Sequence, residues 1–407
     1  MQMKKYNLGE IVEINSSSIK SSDKIDEILY LDTANITENI IGKLQRFDLE
    51  KAPSRAQRKV KNNTIIFSTV RPNQNHFGIM KNPAANLIVS SGFATLDIKN
   101  PDEFNADYLY YNLTQPFIVN YLQTVAQNQV SSYPSINPSD LANLNLSFPP
   151  FSEQQKIASV LSNIDKKISL NRQINRTLEQ LAKRLYDYWF VQFDFPNENG
   201  KPYKSSGGKM VYNTELKREI PAGWGVGKLS DIANITMGQS PDGTSYNENG
   251  NGVIFYQGST DFGNRFPVVR MYTTSPTRFA KKGDILMSVR APVGTMNIAN
   301  TNCCIGRGLA SLNSKIGSIT HLWYLMDMFK HTFENKNSAG TTFGAITKDE
   351  LLNLPVTIPT KNIITSFDEK TIPIFNYQLS IEQESAKLTV LRDKLLPLLM
   401  NGQVTVE

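Results

Sequence analysis

Cysteine is nearly absent from this chain: two in 407 residues, side by side as Cys303 and Cys304. Neighbouring cysteines do not meet the geometry of an ordinary disulfide, so no disulfide framework is expected. We read them as reduced thiols in a cytoplasmic protein. No run of about 18 apolar residues occurs, which excludes a membrane-spanning helix. The opening MQMKKYNLGEIVEI lacks the apolar centre of a signal peptide. Histidine is scarce as well: His76, His321 and His331 have no Cys, Asp or Glu at metal-ligand spacing, so no metal site is expected. His321 reads as a packing or capping residue. The G-x-x-x-x-G-K-[ST] pattern is missing, which argues against a P-loop NTPase. Acidic residues fall in isolated clusters, Asp102-Glu103 and Asp368-Glu369, too sparse to assemble a nuclease centre; both read as solvated helix starts. An excess of one charge is also lacking. The formal net charge is +6, and residues 1–150 hold fourteen basic and fourteen acidic side chains. A nucleic-acid partner is permitted, but its contacts must be arranged locally.

What the chain does have is a long stretch free of Pro and Gly, from Ser152 to Phe190. Ser152 and Gln155 have the spacing of a capping box. Ile157, Ile164, Leu178 and Leu185 recur every seven residues, with Asn171 in the same register. A second row, Val160, Ile174, Leu181 and Tyr188, is interrupted by Lys167. As heptad a and d positions these rows predict one long helix with a seam for another. Leu161, Ile168 and Trp189 fall outside them and point to a further docking face. The second helix starts near Ser366, which has capping-box spacing to Glu369. Phe367, Ile374, Ile381, Leu388 and Leu395 give it the same heptad. Phe367, Leu388 and Leu395 lie 210 residues beyond Ile157, Leu178 and Leu185. Pro373 predicts a kink and Pro397 fraying. Packing within one domain would give a similar seam; two stretches in equal register favour a coiled coil.

The repeat extends beyond the helices. Tyr133-Pro134-Ser135-Ile136 to Leu144 resembles Phe343-Gly344-Ala345-Ile346 to Leu354, again offset by 210. Thr64 to Pro72 resembles Gly283 to Pro292, and Ser91 to Leu96 resembles Gly306 to Leu312. Loops of unequal length between two copies explain a drifting offset. The fold class is therefore α+β: two similar mixed α/β domains, 1–151 and 222–360, each followed by a long helix, 152–192 and 361–407. The runs Thr64–Val70 and Asp284–Val289 read as strands, Asp102–Gln123 and Thr320–His331 as helices. Residues 193–221, rich in Gly, Pro, Asn and Ser, read as an ordered-to-flexible connector.

Basic residues recur at the domain edges. Arg46, Lys51, Arg55, Arg58, Lys59, Lys61 and Arg71 lie in the first copy. Arg265, Arg270, Arg278, Lys281, Lys282, Arg290 and Arg307 lie in the second. Arg suits bidentate contact with guanine, and both types neutralise phosphate. Any one of them is as often merely solvated. We take Arg55, Arg58, Lys59, Arg71, Arg278, Lys282, Arg290 and Arg307 as candidate DNA contacts. Arg71 and Arg290 stand out because each ends a strand and precedes Pro at matching places of the repeat. Their loops, Ser68-Thr69-Val70-Arg71-Pro72 and Ser288-Val289-Arg290-Ala291-Pro292, read as differing by one inserted residue. Phe148-Pro149-Pro150-Phe151 has the look of the N-P-P-F loop of adenine methyltransferases. It lacks the Asn or Asp that holds the target amino group, and no methyl-donor loop accompanies it.

Several stretches together resemble the specificity subunit of type I restriction-modification enzymes. They are SEQQKIASVLSNIDKKI, FDFPNENGKPYKSSGGKMVYNTELKREIPAGW, RFAKKGDILMSVRAPVG, GRGLASL and LRDKLLPLLMNG. The resemblance implies two target recognition domains, each reading half of a bipartite duplex site. It implies an antiparallel coiled coil that spaces them, with a pseudo-two-fold axis. Methyl transfer and cleavage would belong to other subunits. S-adenosylmethionine, ATP and Mg are then expected on those partners, with no cofactor in this chain. The implied partners are DNA, two modification subunits and restriction subunits. Two readings from other classes stand beside it. S-adenosylmethionine binding by the isolated chain would mark a single-chain modification enzyme. Failure to shift duplex DNA would mark a coiled-coil scaffold that binds protein alone.

Overall fold

The apolar run after Thr64 forms the strand Ile65–Ser68, and all four of its side chains are buried. Ile65 and Phe67 point into one core, Ile66 into another, as the two-residue period of a strand requires. The computed structural model describes residues 3–20, 22–23, 25–128, 134–330, 333 and 344–406. Tyr133, His331 and Phe343 of the sequence reading lie outside these. The chain divides into two units, Met1–Ile168 with Lys387–Glu407, and Ser169–Ala386.

In the first unit Ile65–Ser68 lies in an antiparallel sheet ordered Val12–Ile14, Phe93–Ile98, Ile65–Ser68, Phe77–Ile79. A second sheet runs Gln45–Asp48, Glu27–Leu31, Leu87–Ser90, Ala56–Lys59, and its central pair is parallel. The second unit repeats both. One sheet is Ala233–Met237, Leu309–Ser314, Ile285–Ser288, Met296–Ile298. The other is Met271–Thr273, Val253–Tyr256, Cys303–Ile305, Phe279–Ala280, with Tyr246–Asn247 added at one edge. Its Val253–Tyr256 and Cys303–Ile305 pair is again parallel. Ile285 and Met287 enter one core and Leu286 another, matching Ile65, Phe67 and Ile66. Reproducing strand order, strand direction and face demonstrates the internal repeat more firmly than its sparse identities do.

The Asp102–Gln123 segment forms two helices, Ala106–Leu113 and Pro116–Gln127. Pro116 has no N–H to continue the first and starts the second. The connector is ordered. Phe193, Phe195, Ile220 and Trp224 are buried, and Met210–Asn213 pairs with Arg218–Pro221. Asp194 accepts from the Ser205 N–H (2.7 Å) and hydroxyl (2.6 Å). Its aromatics decide this, against a composition rich in turn residues.

The first long helix is Phe151–Tyr186, about 54 Å at ~1.5 Å per residue, and passes into a π-helical turn, Asp187–Val191. It starts one residue before Ser152, so Ser152 is not its cap. The Pro150 carbonyl accepts from the N–H groups of Glu153 and Gln154. Buried Gln154 ties this end down, accepting from the Asn105 N–H (2.9 Å) and donating to the Pro149 carbonyl (3.0 Å). The second long helix, Lys361–Met400, starts upstream of Ser366, which is mid-helix. It stays helical through Pro373 and continues past Pro397 to Met400, contrary to the expected fraying. Both prolines are exposed, so water can solvate the carbonyls they leave unpaired.

The seam differs from the sequence reading in one of its two rows. Ile157 is buried, and Ile164, Leu178 and Leu185 are half-buried, with Asn171 buried among them. The companion row on the first helix is Leu161, Ile168, Asn175, Ala182 and Trp189, one residue later than expected. Leu161, Ile168 and Trp189 are 0%, 3% and 2% exposed, whereas Leu181 is 53% exposed. On the second helix Ile381 is buried, and Ile374, Leu388 and Leu395 are half-buried. Its companion row, Thr371, Gln378, Ser385 and Arg392, is polar. In the second unit Asn171 donates to Glu384 (2.8 Å) and Ser385 (3.2 Å), Gln378 donates to Glu179 (2.9 Å), and Tyr186 meets Phe367 edge-on. Residue numbers rise on one helix as they fall on the other, so the pair is antiparallel.

Candidate nucleic-acid interface

Each unit gathers part of its candidate basic set around one tight loop. In the second unit the loop is Gly306-Arg307-Gly308. The Arg278 carbonyl accepts from the Ile305 N–H (2.9 Å), and the Gly308 carbonyl accepts from the N–H of Val289, beside Arg290 (2.9 Å). The Arg307 N–H donates to Ser240 Oγ (3.2 Å). Arg278, Arg290 and Arg307 are thus held near one another by backbone bonds, and their side chains are exposed. Gly308 is required by close approach, because a Cβ there would stand 2.6 Å from the Gln257 carbonyl oxygen.

The first unit repeats this with different residues. The Arg55 carbonyl accepts from the Ser91 N–H (2.7 Å), and the Gly92 carbonyl from that of Thr69 (2.9 Å). Arg71 follows two residues on, with its N–H on the Pro134 carbonyl (2.9 Å). Arg55 and Arg71 are exposed.

Registers correct the pairing of Arg71 with Arg290. Ser68 pairs Phe93 as Ser288 pairs Leu309, and both segments read Ser-x-x-x-Pro with no insertion. Val70 bridges Ser135 as Arg290 bridges Ala345. The first copy therefore has Val70 at the Arg290 position, and Arg71 corresponds to Ala291. Arg71 is left-handed (φ +48°) before the 3₁₀ turn Pro72–Gln74, whereas Ala291-Pro292 is a cis bond.

The other candidates lie elsewhere. Arg58 is half-buried, with Nη1 3.4 Å from Ser18 Oγ. Lys59 pairs with Asp23 at 2.6 Å, and that bond draws the Asp23 carboxyl below its usual range. Lys282 is exposed, at the opposite end of Ile285–Ser288 from Arg290. Arg265 is buried. It is 7% exposed, stacked 4.7 Å from both Trp323 and Phe375, and paired with Glu179 at 2.8 Å. Gln239, Ser240 and Ser91 adjoin the loops but escape the sequence reading, which searched for charge. The short Gly238-Gln239-Ser240 run after a strand is the signal that would have found the first two.

Asp368 is not a solvated helix start. It accepts from Ser318 Oγ and Thr320 Oγ1, both at 2.6 Å. His321 packs against Phe190, and burial lowers its pKa to about 4. Among the described residues no cluster of three or more His, Cys, Asp or Glu is placed to hold a metal ion, and no helix is long and apolar enough to cross a membrane.

The family model for the type I restriction modification DNA specificity domain matches residues 2–180 and 221–382. The MjaX type I restriction enzyme specificity subunit of Methanocaldococcus jannaschii is 30% identical, over 98% of this chain and 93% of its own length. The HindI specificity subunit of Haemophilus influenzae is 24% identical, over 98% of this chain and 99% of its own. A crystal structure of a type I restriction-modification S subunit from M. genitalium shares the fold. Its TM-score is 0.61 at 16% identity, covering 98% of this chain and 96% of that one.

Proposed function

The chain belongs to the type I restriction-modification DNA specificity family, and from that premise we propose how it reads DNA. It is the non-catalytic, sequence-specific DNA-binding subunit. Each unit reads one half of a bipartite duplex target, the first through Arg55 and Arg71 around the Ser91-Gly92 turn, the second through Arg278, Arg290 and Arg307. The supporting observation is the duplicated loop: one backbone scaffold, Thr69 to Gly92 and Val289 to Gly308, presents different side chains in the two units. A common scaffold with unlike side chains gives two half-sites of unlike sequence. Arg58, Lys59 and Lys282 lie outside the loops and suit phosphate contact at most.

The long helices set the half-site spacing and dock two modification subunits. Leu161, Ile168 and Trp189 are buried and cannot serve that docking. Leu170, Leu181, Tyr188 and Tyr377 are exposed apolar side chains on the helices and their π-helical turn, and they replace those three in this reading. S-adenosylmethionine belongs to the modification subunits, and ATP and Mg to restriction subunits. Two buried, free thiols suit a reducing cytoplasm.

The test is a half-swap. Residues 222–360 are replaced by the matching region of a relative, and the adenines methylated in cells carrying the intact system are mapped. One half of the methylated site changes and the other stays. A change in both halves would sink independent reading, and failure of the chain with its modification partner to shift duplex DNA would sink the DNA-binding role itself.

A further inference from the structure

The buried Arg265 of the second unit fills a cleft between its β-domain and the long helices. Its guanidinium is enclosed by Trp323, Phe375 and Glu179. The repeat locates the counterpart of each in the first unit. Asn105 and Ser318 cap equivalent helices, accepting from Tyr108 and His321. That offset of 213 sets Tyr110 opposite Trp323. The helix offset of 210 sets Asp165 opposite Phe375 and Thr389 opposite Glu179. All three counterparts, Tyr110, Asp165 and Thr389, line an open cleft of about 380 Å³.

Among the described residues no arginine occupies this cleft as Arg265 occupies the other; Arg392 lines its wall. In the second unit the Ile298 N–H donates to the Arg265 backbone carbonyl; in the first, that of Ile79 donates to the Asn39 side-chain Oδ1, and the Phe262–Pro267 bridge that flanks Arg265 corresponds to the Ile36–Ile41 pair that flanks Asn39. Asn39 and the adjoining Glu38 therefore stand where Arg265 stands. Glu38, Asp165 and Asp393 oppose Arg392 in the lining, three carboxylates to one guanidinium. Arg392 is committed to the walls, holding Asp165 at 3.0 Å and Asp393 at 2.8 Å. Tyr110 is 6% exposed, and its hydroxyl makes no hydrogen bond among the described residues. Tyr110 lines the cleft together with Asp165, Arg392 and Glu38. The site has the aromatic wall, the acidic lining and the unused polar group that a guanidinium requires.

We infer that this first-unit cleft receives an arginine side chain of a docked protein, filling the place that Arg265 fills in the second unit. Exposed apolar side chains near the cleft favour a protein over a free small molecule. Phe117 (60%) and Tyr121 (57%) lie on the helix that lines it, and Val390 (55%) and Leu391 (46%) adjoin Thr389 and Arg392. The occupant is assigned to the modification subunit, so this inference rests on the docking proposed above. It also makes the two docking sites unlike, because the second unit's cleft is already full.

The test places a fluorinated tyrosine at position 110 of the full chain and follows its fluorine resonance. N-acetyl-arginine methylamide shifts the signal saturably, and the neutral citrulline analogue binds roughly tenfold more weakly. Glu38→Gln weakens the arginine analogue, and Asn39→Arg, which supplies an internal plug, abolishes its effect. Purified modification subunit then moves the same resonance and blocks the analogue. Equal response to citrulline, or no saturable shift, overturns the site. A complex that forms yet leaves the resonance unchanged and still titratable overturns the partner arginine while docking stands. Failure of the complex to form overturns the docking reading itself, and the partner arginine with it.

Discussion

Arg290 occupies a position that the first copy fills with Val70, so its loss is a test of one half-site alone. Arg290→Ala should cost about 1–3 kcal/mol against targets with the correct second half if it contacts a base edge. Binding measured across a panel of sites, each altered in one half, checks this. A uniform loss on every sequence would mark a phosphate contact instead. His321 makes a different prediction. Its pKa is lowered to about 4 by burial against an ordinary value of 6.5, so the unfolded chain binds the proton first as pH falls. The neutral folded form is fully favoured above pH 6.5, and stability drains away between about 6.5 and 4. The loss reaches up to about 3 kcal/mol at the lower end. Urea unfolding at pH 7 and pH 5 should show that slope, and His321→Phe should flatten it. Cys303, in another core of the same unit, is pushed up to about 12 by burial and stays a protonated, unreactive thiol at neutral pH.

At the scale of the element, the first long helix carries two flanking rows of comparable apolarity, Val160, Ile174, Leu181, Tyr188 and Leu161, Ile168, Ala182, Trp189. Which one turns inward is decided by the packing partner. Leu161→Ala should therefore cost about 2–5 kcal/mol, as a filled core position does. Leu181→Ala should stay within about 0.5 kcal/mol for the free chain, as an exposed site does. Chemical denaturation compares them, and equal costs would restore the other row. The second helix buries a polar row, Thr371, Gln378 and Ser385, which apolar periodicity does not reveal. Asn171 and Ser385 meet there. A buried polar layer of this kind favours one register at some cost in stability.

For the whole molecule, the proposed reading makes the helices a ruler along the DNA. Deleting Asn171–Thr177 and Ile381–Lys387 keeps heptad phase. It also removes Asn171 and Asn175 together with Glu382, Glu384 and Ser385, which they contact, so no polar partner among them is left stranded. Seven residues shorten each helix by roughly 10 Å, equivalent to about 3 bp of duplex. The unread gap in the methylated target should contract accordingly, or binding should fail because the two read segments leave the shared face. Methylation mapping with the deletion variant decides; an unchanged gap would show that something else sets the spacing.

Local rules made much of this protein legible. A heptad, two copies of it 210 residues apart and a repeated lead-in were enough to read two mixed domains and two long helices. The family resemblance followed from the same stretches. Backbone preference and apolar period are properties of neighbouring residues, and the sequence displays them directly. What depended on distant partners was not legible. Arg265 and Arg290 are alike as residues, yet one is stacked under Trp323 and Phe375 while the other is exposed. The inward row of the first helix and the order within the connector were likewise hidden. Burial, register and the filling of one cleft but not its twin arise when residues far apart in the chain compete for the same space, and that competition is settled in three dimensions.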